Sequence, residues 1–384
     1  MDDRGSGGRG WNRKWVIDTE ALLVTHKGNV ASPVEGVLYE PHEPLWNSYI
    51  AQLFHFALHC VQSGTAQIRN NRIHPVDVVF KRYRQEIEHQ GVFNGSIPSI
   101  MGAPETIDSW RHERMFDTVR SLIVARPDAA WLTIGDGGAD AWMLRALGAK
   151  TVTASCISDV VLRRLAAMGY LAGIQISSIN AESIDLPDRS VDFVFCKEAF
   201  HHFPRPPLAF YEFLRVSRIG FVMVEPLEPA ASRPLDILRS TAKRVLRQRR
   251  AMFEQFEPVG NYIYRLSERE VFRMLTAIQV SWFALKPFSD FYVEWLSERS
   301  RNEFLPRLLF RLGLGMQNQM ARFGLMNHGL CTMFVPACSD VTDIKNTLAL
   351  GGFLISLTPR NPYLEENEST LVPPDQIPDS VPGG

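Results

Sequence analysis

Two short stretches concentrate the residue types that do chemistry. "IGDGGAD" sets Gly135, Gly137 and Gly138, with two aspartates, between an apolar run and a helical pattern. "CKEAFHHF" crowds Lys197, Glu198, His201 and His202 behind another apolar run. Glycines that follow a strand and precede a helix give a tight turn whose backbone a ligand can approach closely. A dinucleotide fingerprint starting at Gly135 would need a glycine at position 140, where a pyrophosphate rests against the helix N-terminus. That position holds Asp140, and a carboxylate there repels a pyrophosphate. The turn therefore favours a phosphate-free ligand over a nicotinamide or flavin dinucleotide. In the second stretch Glu198 and His201 stand three apart and are expected to share one face of a turn. They and His202 are the candidates for general base, a group needed when a hydroxyl is the nucleophile.

The elements that must position these residues read as alternating strands and helices. "WLTI", "TVTAS", "IQISSI", "VDFVFC" and "GFVMVE" are short apolar strands, and "AWMLRAL", "DVVLRRLAAM" and "PLAFYEFLRV" between them have helical spacing. Parallel pairing needs a crossover of about a dozen residues, usually a helix, so this alternation predicts a doubly wound α/β sheet. Ligands of such sheets sit beyond the carboxyl ends of the strands, where strand order reverses. Ser267 and Glu270 form a capping box before a further helix, and "IQVSWFALKPF" and "NHGLCTMFVP" add two more strands.

The motifs "LTIGDGGA", "VTASCIS", "NAESIDLP", "VDFVFCKEAFHHFPRP" and "FVMVEP" together resemble, in order and spacing, the class I S-adenosylmethionine-dependent methyltransferases of the type 11 group. The resemblance runs from Trp131 to Pro226 and implies a Rossmann-like, seven-stranded, mostly parallel sheet with S-adenosyl-L-methionine as cofactor. By that resemblance Gly135 and Gly137 pass beneath the methionine part of the cofactor, and Asp136 and Gly138 complete the turn. Ala139 replaces a third family glycine, a change of one methyl. Where the family places a ribose-binding carboxylate after the second strand, this chain has Cys156, followed by Ile157. A thiol is a poor acceptor, and the loss of one charge-assisted interaction costs about 1.5 to 3 kcal/mol, a tenfold to hundredfold loss of affinity. Asp159 is the nearest substitute carboxylate. After the third strand Asn180, whose amide oxygen can accept from the adenine amino group, leads Ala181 and Glu182. Lys197 completes the expected cofactor set.

Bulk properties bound the rest. The chain has 384 residues, 45% hydrophobic and 22% charged, with 41 basic against 42 acidic residues, so it lacks the positive field of a nucleic-acid-binding protein. Five cysteines, an odd number without metal-type spacing, signal neither a disulfide framework nor zinc and fit a reducing cytoplasm. His55 and His59 stand four apart without a recognisable third ligand, so no metal is expected. Residues 1–14 read as a flexible basic arm that has no apolar core of a signal peptide. Residues 15–105 read as an N-terminal accessory region, with strands at "WVIDTEALLVT" and "GVLYEP" and a helix over Leu45 to Val61. Residues 106–337 form the expected methyltransferase domain, interrupted by helical insertions at about 228–265 and 290–325, and 338–384 are expected to be a largely flexible tail. From Arg233 to Arg250 seven basic residues face the single Asp236, a pattern of solvated amphipathic faces or of a contact with an anionic substrate or membrane surface. The implied reaction is methyl transfer to an oxygen or nitrogen of a small-molecule, saccharide or lipid-linked acceptor. Cys156 keeps open a catalytically weak or inactive methyltransferase-like binding protein.

Overall fold

A computed structural model describes residues 97–226, 228, 233–246, 262–338 and 341–362, together with Tyr83 and five short strands before it. The chain divides into two units, Met1–Arg84 and Gln85–Gly384. Within the first, β1 (Val16–Asp18), β2 (Leu23–His26) and β3 (Asn29–Ala31) form an antiparallel sheet, and β4 (Gln67–Arg69) pairs antiparallel with β5 (Arg72–His74). The expected strand at "WVIDTEALLVT" is thus two strands. The basic arm, "GVLYEP", the Leu45 to Val61 helix and His55 and His59 lie outside the described residues.

The second unit begins earlier than the expected domain boundary at 105/106. Helix α1 (Ser99–Gly102) buries Ile100 and Met101 in its main core, and Thr106 caps α2 (Ile107–Asp117) by accepting from Ser109 N at 3.2 Å. After α3 (Arg120–Ala125) comes the sheet: β6 (Ala130–Ile134), β7 (Thr151–Cys156), β8 (Gln175–Ser178), β9 (Val191–Lys197), β10 (Ser217–Glu225), β11 (Trp282–Phe288), β12 (Leu330–Pro336) and β13 (Leu354–Leu357). Their spatial order is β13-β11-β12-β10-β9-β6-β7-β8. Strands β6 to β10 pair in parallel, while β12 runs antiparallel to both of its neighbours. The doubly wound, mostly parallel α/β sheet is as expected, with eight strands in place of seven.

Burial on both faces explains the apolar strands. In β9, Phe193, Val194, Phe195 and Cys196 are fully buried, and every residue of β12 is buried. Helices α4 (Ala139–Ala146), α5 (Val160–Ala167) and α11 (Thr342–Leu350) contribute to the core on one face. Helices α6 (Pro206–Val216) and α8 (Glu268–Ala277) contribute to the other. The Ser267 and Glu270 capping box is present at the start of α8. Pro287 sits inside β11, but β13 pairs with β11 only as far as Leu285, so the missing proline N–H breaks no ladder on that side. The insertions supply α7 (Pro234–Leu246) in the first and α9 (Glu294–Ser297) and α10 (Phe304–Arg322) in the second.

The expectation of a flexible tail from 338 is corrected over its first part. Helix α11 and strand β13 belong to the sheet domain, with Val341, Ile344, Leu348 and Phe353 buried in its core. The apolar spacing of Ile344 and Leu348 at i and i+4 carries that signal, and the proline-rich acidic run beyond it obscures it. Leu348→Ala should lower the unfolding free energy by about 2 to 5 kcal/mol, because Leu348 is 0% exposed. Leu350→Ala, at a position 91% exposed, should stay within about 0.5 kcal/mol. Equal urea midpoints for the two variants would place this segment outside the cooperative unit.

Candidate functional site

The glycine turn follows β6 at its carboxyl end, beside the carboxyl ends of β7 and β9, where strand order reverses. Gly135 has φ +70, and a Cβ there would stand 2.5 Å from the Ala199 Cβ. Gly138, with φ +99, begins α4 and meets the Leu165 side chain. Both positions require glycine. Gly137 differs, since a Cβ there would meet nothing within 4 Å, so open space lies over it.

Asp136 is buried, and its carboxylate accepts from Gly138 N at 2.6 Å, Asp140 N at 3.0 Å, Ala141 N at 2.9 Å and the Thr133 hydroxyl at 2.8 Å. The amides that a phosphate would use at this helix N-terminus are therefore taken by an internal carboxylate. The charge of Asp136 reinforces the block. Burial raises the Asp136 carboxyl above its usual range, and its four hydrogen bonds oppose that shift. The exclusion of a diphosphate, read in the sequence from Asp140, thus rests first on Asp136.

Asp140 instead faces across to the end of β9, where its Oδ1 lies 3.6 Å from Lys197 Nζ. Lys197 also donates to Glu198 Oε2 at 3.1 Å and lies 3.4 Å from His112 Nδ1. Arg111 of α2 ties three carboxylates together: Glu198 at 3.2 Å, Asp290 at 2.8 Å and Asp108 at 2.9 Å. The result is a cluster of alternating charges joining α2, α4 and β9. Burial pushes the Asp140 carboxyl up to about 8, with Lys197 opposing and Asp136 and Glu198 adding to the rise. Burial would also raise Glu198, but Lys197, Arg111 and His112 outweigh it and hold that carboxyl down to about 2. Burial, with Lys197 adding to it, lowers His112 to about 4, so its imidazole is neutral at pH 7. Glu198 has φ +50, a left-handed backbone that glutamate rarely adopts.

The expected ribose and adenine residues divide. Cys156 ends β7, and Ile157 follows it half-buried, its carbonyl accepting from Ser178 Oγ at 3.0 Å. Asp159, the substitute carboxylate, pairs with Arg163 at 2.7 Å in the first turn of α5. The Asn180 amide oxygen accepts from Glu182 N at 3.0 Å in a local turn. Ala181 packs in the core, and the buried Glu182 carboxylate takes both the backbone N–H and the guanidinium of Arg205, fastening the start of α6. Glu182 and Ala181 therefore have structural partners where cofactor contacts were expected.

Glu198 and His201 do not share a face. Glu198 turns to Lys197 and Arg111, whereas His201 Nδ1 lies 2.7 Å from Glu225 Oε2. The other oxygen of Glu225, at the end of β10, accepts from Ala199 N and Phe200 N at 2.8 Å each. One carboxylate thus fixes the turn and the imidazole together. The His202 ring packs on that of His201 with centroids 4.1 Å apart. Sequence reading passed over Arg111, His112, Asp108, Asp290 and Glu225. Asp108, Arg111 and His112 do carry a signal, at i, i+3 and i+4 on one helix face. Asp290 has none, because only the folding of the chain brings it to α2.

Residues 132–224 match the family model described as "Methyltransferase domain". The matched segment resembles a methyltransferase domain. It spans the glycine turn and the ends of β7 and β9, and stops one residue before Glu225 at the end of β10. Among solved structures, YcgJ of Bacillus subtilis is similar at 18% identity and a TM-score of 0.37, over 59% of this chain and 97% of that one. A SAM-dependent methyltransferase of Thermotoga maritima aligns at 12% identity and a TM-score of 0.35, over 59% and 91%. A geranyl diphosphate methyltransferase aligns at 14% identity and a TM-score of 0.33, over 55% and 71%. A search of the curated proteins found no match to the chain.

The charge cluster gives a pH signature. Glu198 has a folded pKa of about 2 against an ordinary 4.5. Its stabilisation is present above pH 4.5 and is lost as pH falls towards 2. Glu198→Gln should cost about 1 to 3 kcal/mol at pH 7 and flatten the acid limb between pH 4.5 and 2, read by urea unfolding across that range. An unchanged acid limb would contradict the ion pairing.

Proposed function

We propose that the domain binds S-adenosylmethionine and transfers its methyl group to an oxygen or nitrogen of a small-molecule, saccharide or lipid-linked acceptor. The observation that carries this reading is the turn itself, where Asp136 has consumed the phosphate-binding amides while Gly137 leaves open space above the backbone. A nucleoside ligand without phosphates suits such a site. The residues also fit the cofactor's charges, since its ammonium and sulfonium suit Asp140 and its carboxylate suits Lys197. A cation brought near Asp140 draws its carboxyl, otherwise raised to about 8, towards the ionised form.

Bound, the cofactor supplies an electrophilic methyl on a positively charged sulfonium. The protein's part is alignment of the acceptor, exclusion of water and, for a hydroxyl, removal of its proton. Glu198, held at about 2, is too weak a base for that task and serves the charge cluster. His201 is the suited group, because Glu225 fixes its ring at 2.7 Å and imidazole is the side chain suited to proton removal near neutral pH. His202 packs against it as a positioning residue. The described cysteines Cys156, Cys196, Cys331 and Cys338 form no disulfide with one another, which suits a reaction in the cytoplasm.

Cys156 favours a second reading, a methyltransferase-like protein that binds its cofactor weakly or without turnover. Calorimetry decides between the two. Gly137→Ala should fold with stability within about 0.5 kcal/mol of the parent, yet weaken S-adenosylmethionine binding at least tenfold, about 1.4 kcal/mol, by filling the open space. Cys156→Asp should tighten it by about ten- to a hundredfold. Absent binding at millimolar cofactor, unrescued by Cys156→Asp, would leave only the second reading. Once labelled cofactor and a host extract have yielded a product, mass spectrometry identifies the acceptor. With a hydroxyl acceptor His201→Asn should then lower turnover by about 10²- to 10⁴-fold. An unchanged rate would remove His201 as base.

A further inference from the structure

Helix α10 has two apolar faces, and the fold uses one. Pro306, Phe310, Gly313 and Leu314 turn inward. Phe310 packs on Trp110 of α2 with ring centroids 5.0 Å apart, and Ile107 and Leu296 complete this small core. The other face is exposed and largely apolar, with Gln319 as its one exposed amide. At 100° per residue Leu305, Leu308, Leu312, Met316 and Phe323 fall in one stripe, all exposed, with Phe323 at 73% and Phe304 beside the stripe at 71%. Arg311 and Arg322, both exposed, border it on one side, and the Arg311 guanidinium also lies 5.5 Å over the Trp110 ring. The helix contains no aspartate or glutamate. Its C-terminal end is joined to the start of α7, where Leu235 N donates to Leu325 O at 2.9 Å. Asp236, the one acidic residue in the sequence of α7, accepts from Asn327 N at 2.9 Å and Nδ2 at 2.7 Å. Beyond it α7 exposes Ile237 and Leu238.

We propose that this face of α10, continued by the first turns of α7, docks on an anionic lipid bilayer. Burying large side chains from a stripe edged by arginines, with no acid in the helix, is the chemistry of an interfacial helix lying in the headgroup plane. A second copy of the chain suits the face poorly, because its own arginines would come against these. Among the described residues no helix is long and apolar enough to cross a membrane, so the contact is peripheral. Helix α10 packs on α2, which carries Arg111 and His112 into the charge cluster. A docked bilayer would therefore bring lipid-linked acceptors near the strand ends. That last consequence rests on the methyl-transfer reading; the docking itself does not.

The test is co-sedimentation of the full chain with phosphatidylcholine vesicles and with vesicles containing about one third phosphatidylglycerol. The wild type should favour the anionic vesicles at least tenfold, and added salt should weaken its binding. Leu308→Asp/Leu312→Asp and, independently, Arg322→Glu should each reduce binding by about tenfold or more, with unfolding midpoints and S-adenosylmethionine affinity unchanged. Three results would overturn the proposal: no sedimentation with anionic vesicles, equal binding to both vesicle types, or a wild-type dimer in light scattering that Leu308→Asp/Leu312→Asp makes monomeric. Cofactor affinity is measured separately, so failure of the methyl-transfer reading leaves the vesicle result interpretable.

Discussion

The carboxylate of Asp136 closes the N-terminus of α4 from inside the protein. A helix leaves its first amides without partners, and a buried carboxylate without donors is costly. Here each need meets the other: three amides and the Thr133 hydroxyl converge on one side chain. The arrangement demands left-handed backbone at Gly135 and Gly138, and it leaves Gly137 as the residue of the turn facing open space. The same carboxylate that stabilises the turn decides which ligands it can accept, since both the donors and the favourable charge that a phosphate requires are gone.

Around this turn the protein spends its buried charges in pairs. Lys197 stands between Asp140 and Glu198, and the two carboxylates are driven to opposite ends of the scale, about 8 and about 2. Asp140 is enclosed, with Asp136 close by and one cation to offset its burial, whereas Glu198 has Lys197 and Arg111 both in hydrogen-bond reach. Environments that split two similar groups in this way assign them different duties. Glu198 is a fixed anion that anchors α2 to the end of β9, and Asp140 is enclosed beside the turn with Lys197 as its cation. On the other side of the same loop Glu225 serves the backbone of Ala199 and Phe200 and the ring of His201, so the two polar ends of "KEAFH" are held by different strands and helices.

Much of this was legible in residue order. The alternation of "WLTI", "TVTAS", "VDFVFC" and "GFVMVE" with helical runs predicted the parallel sheet, because buried parallel strands must be apolar on both faces. Glycine spacing located the turn, because left-handed turns are nearly closed to other residues. Roles within the site were harder to read. Glu182 sits in the motif but gives both oxygens to Arg205, and Glu198 and His201, three apart in sequence, face apart, Glu198 with a left-handed backbone. The eighth strand was hidden beside a proline-rich run, although Ile344 and Leu348 carried helical spacing.

By itself the sequence determined the alternation of elements, the place of the glycine turn and the lack of a pyrophosphate-compatible residue at position 140. These are properties of local backbone sterics and of hydrophobic periodicity, which act between near neighbours in the chain. Only the tertiary structure decided that Asp136 fills the helix end, that Arg111 and Asp290 meet across 179 positions of sequence, and that α10 keeps an apolar face uncovered. Charge pairing and burial depend on distances between remote segments, and spacing along a chain does not encode those distances.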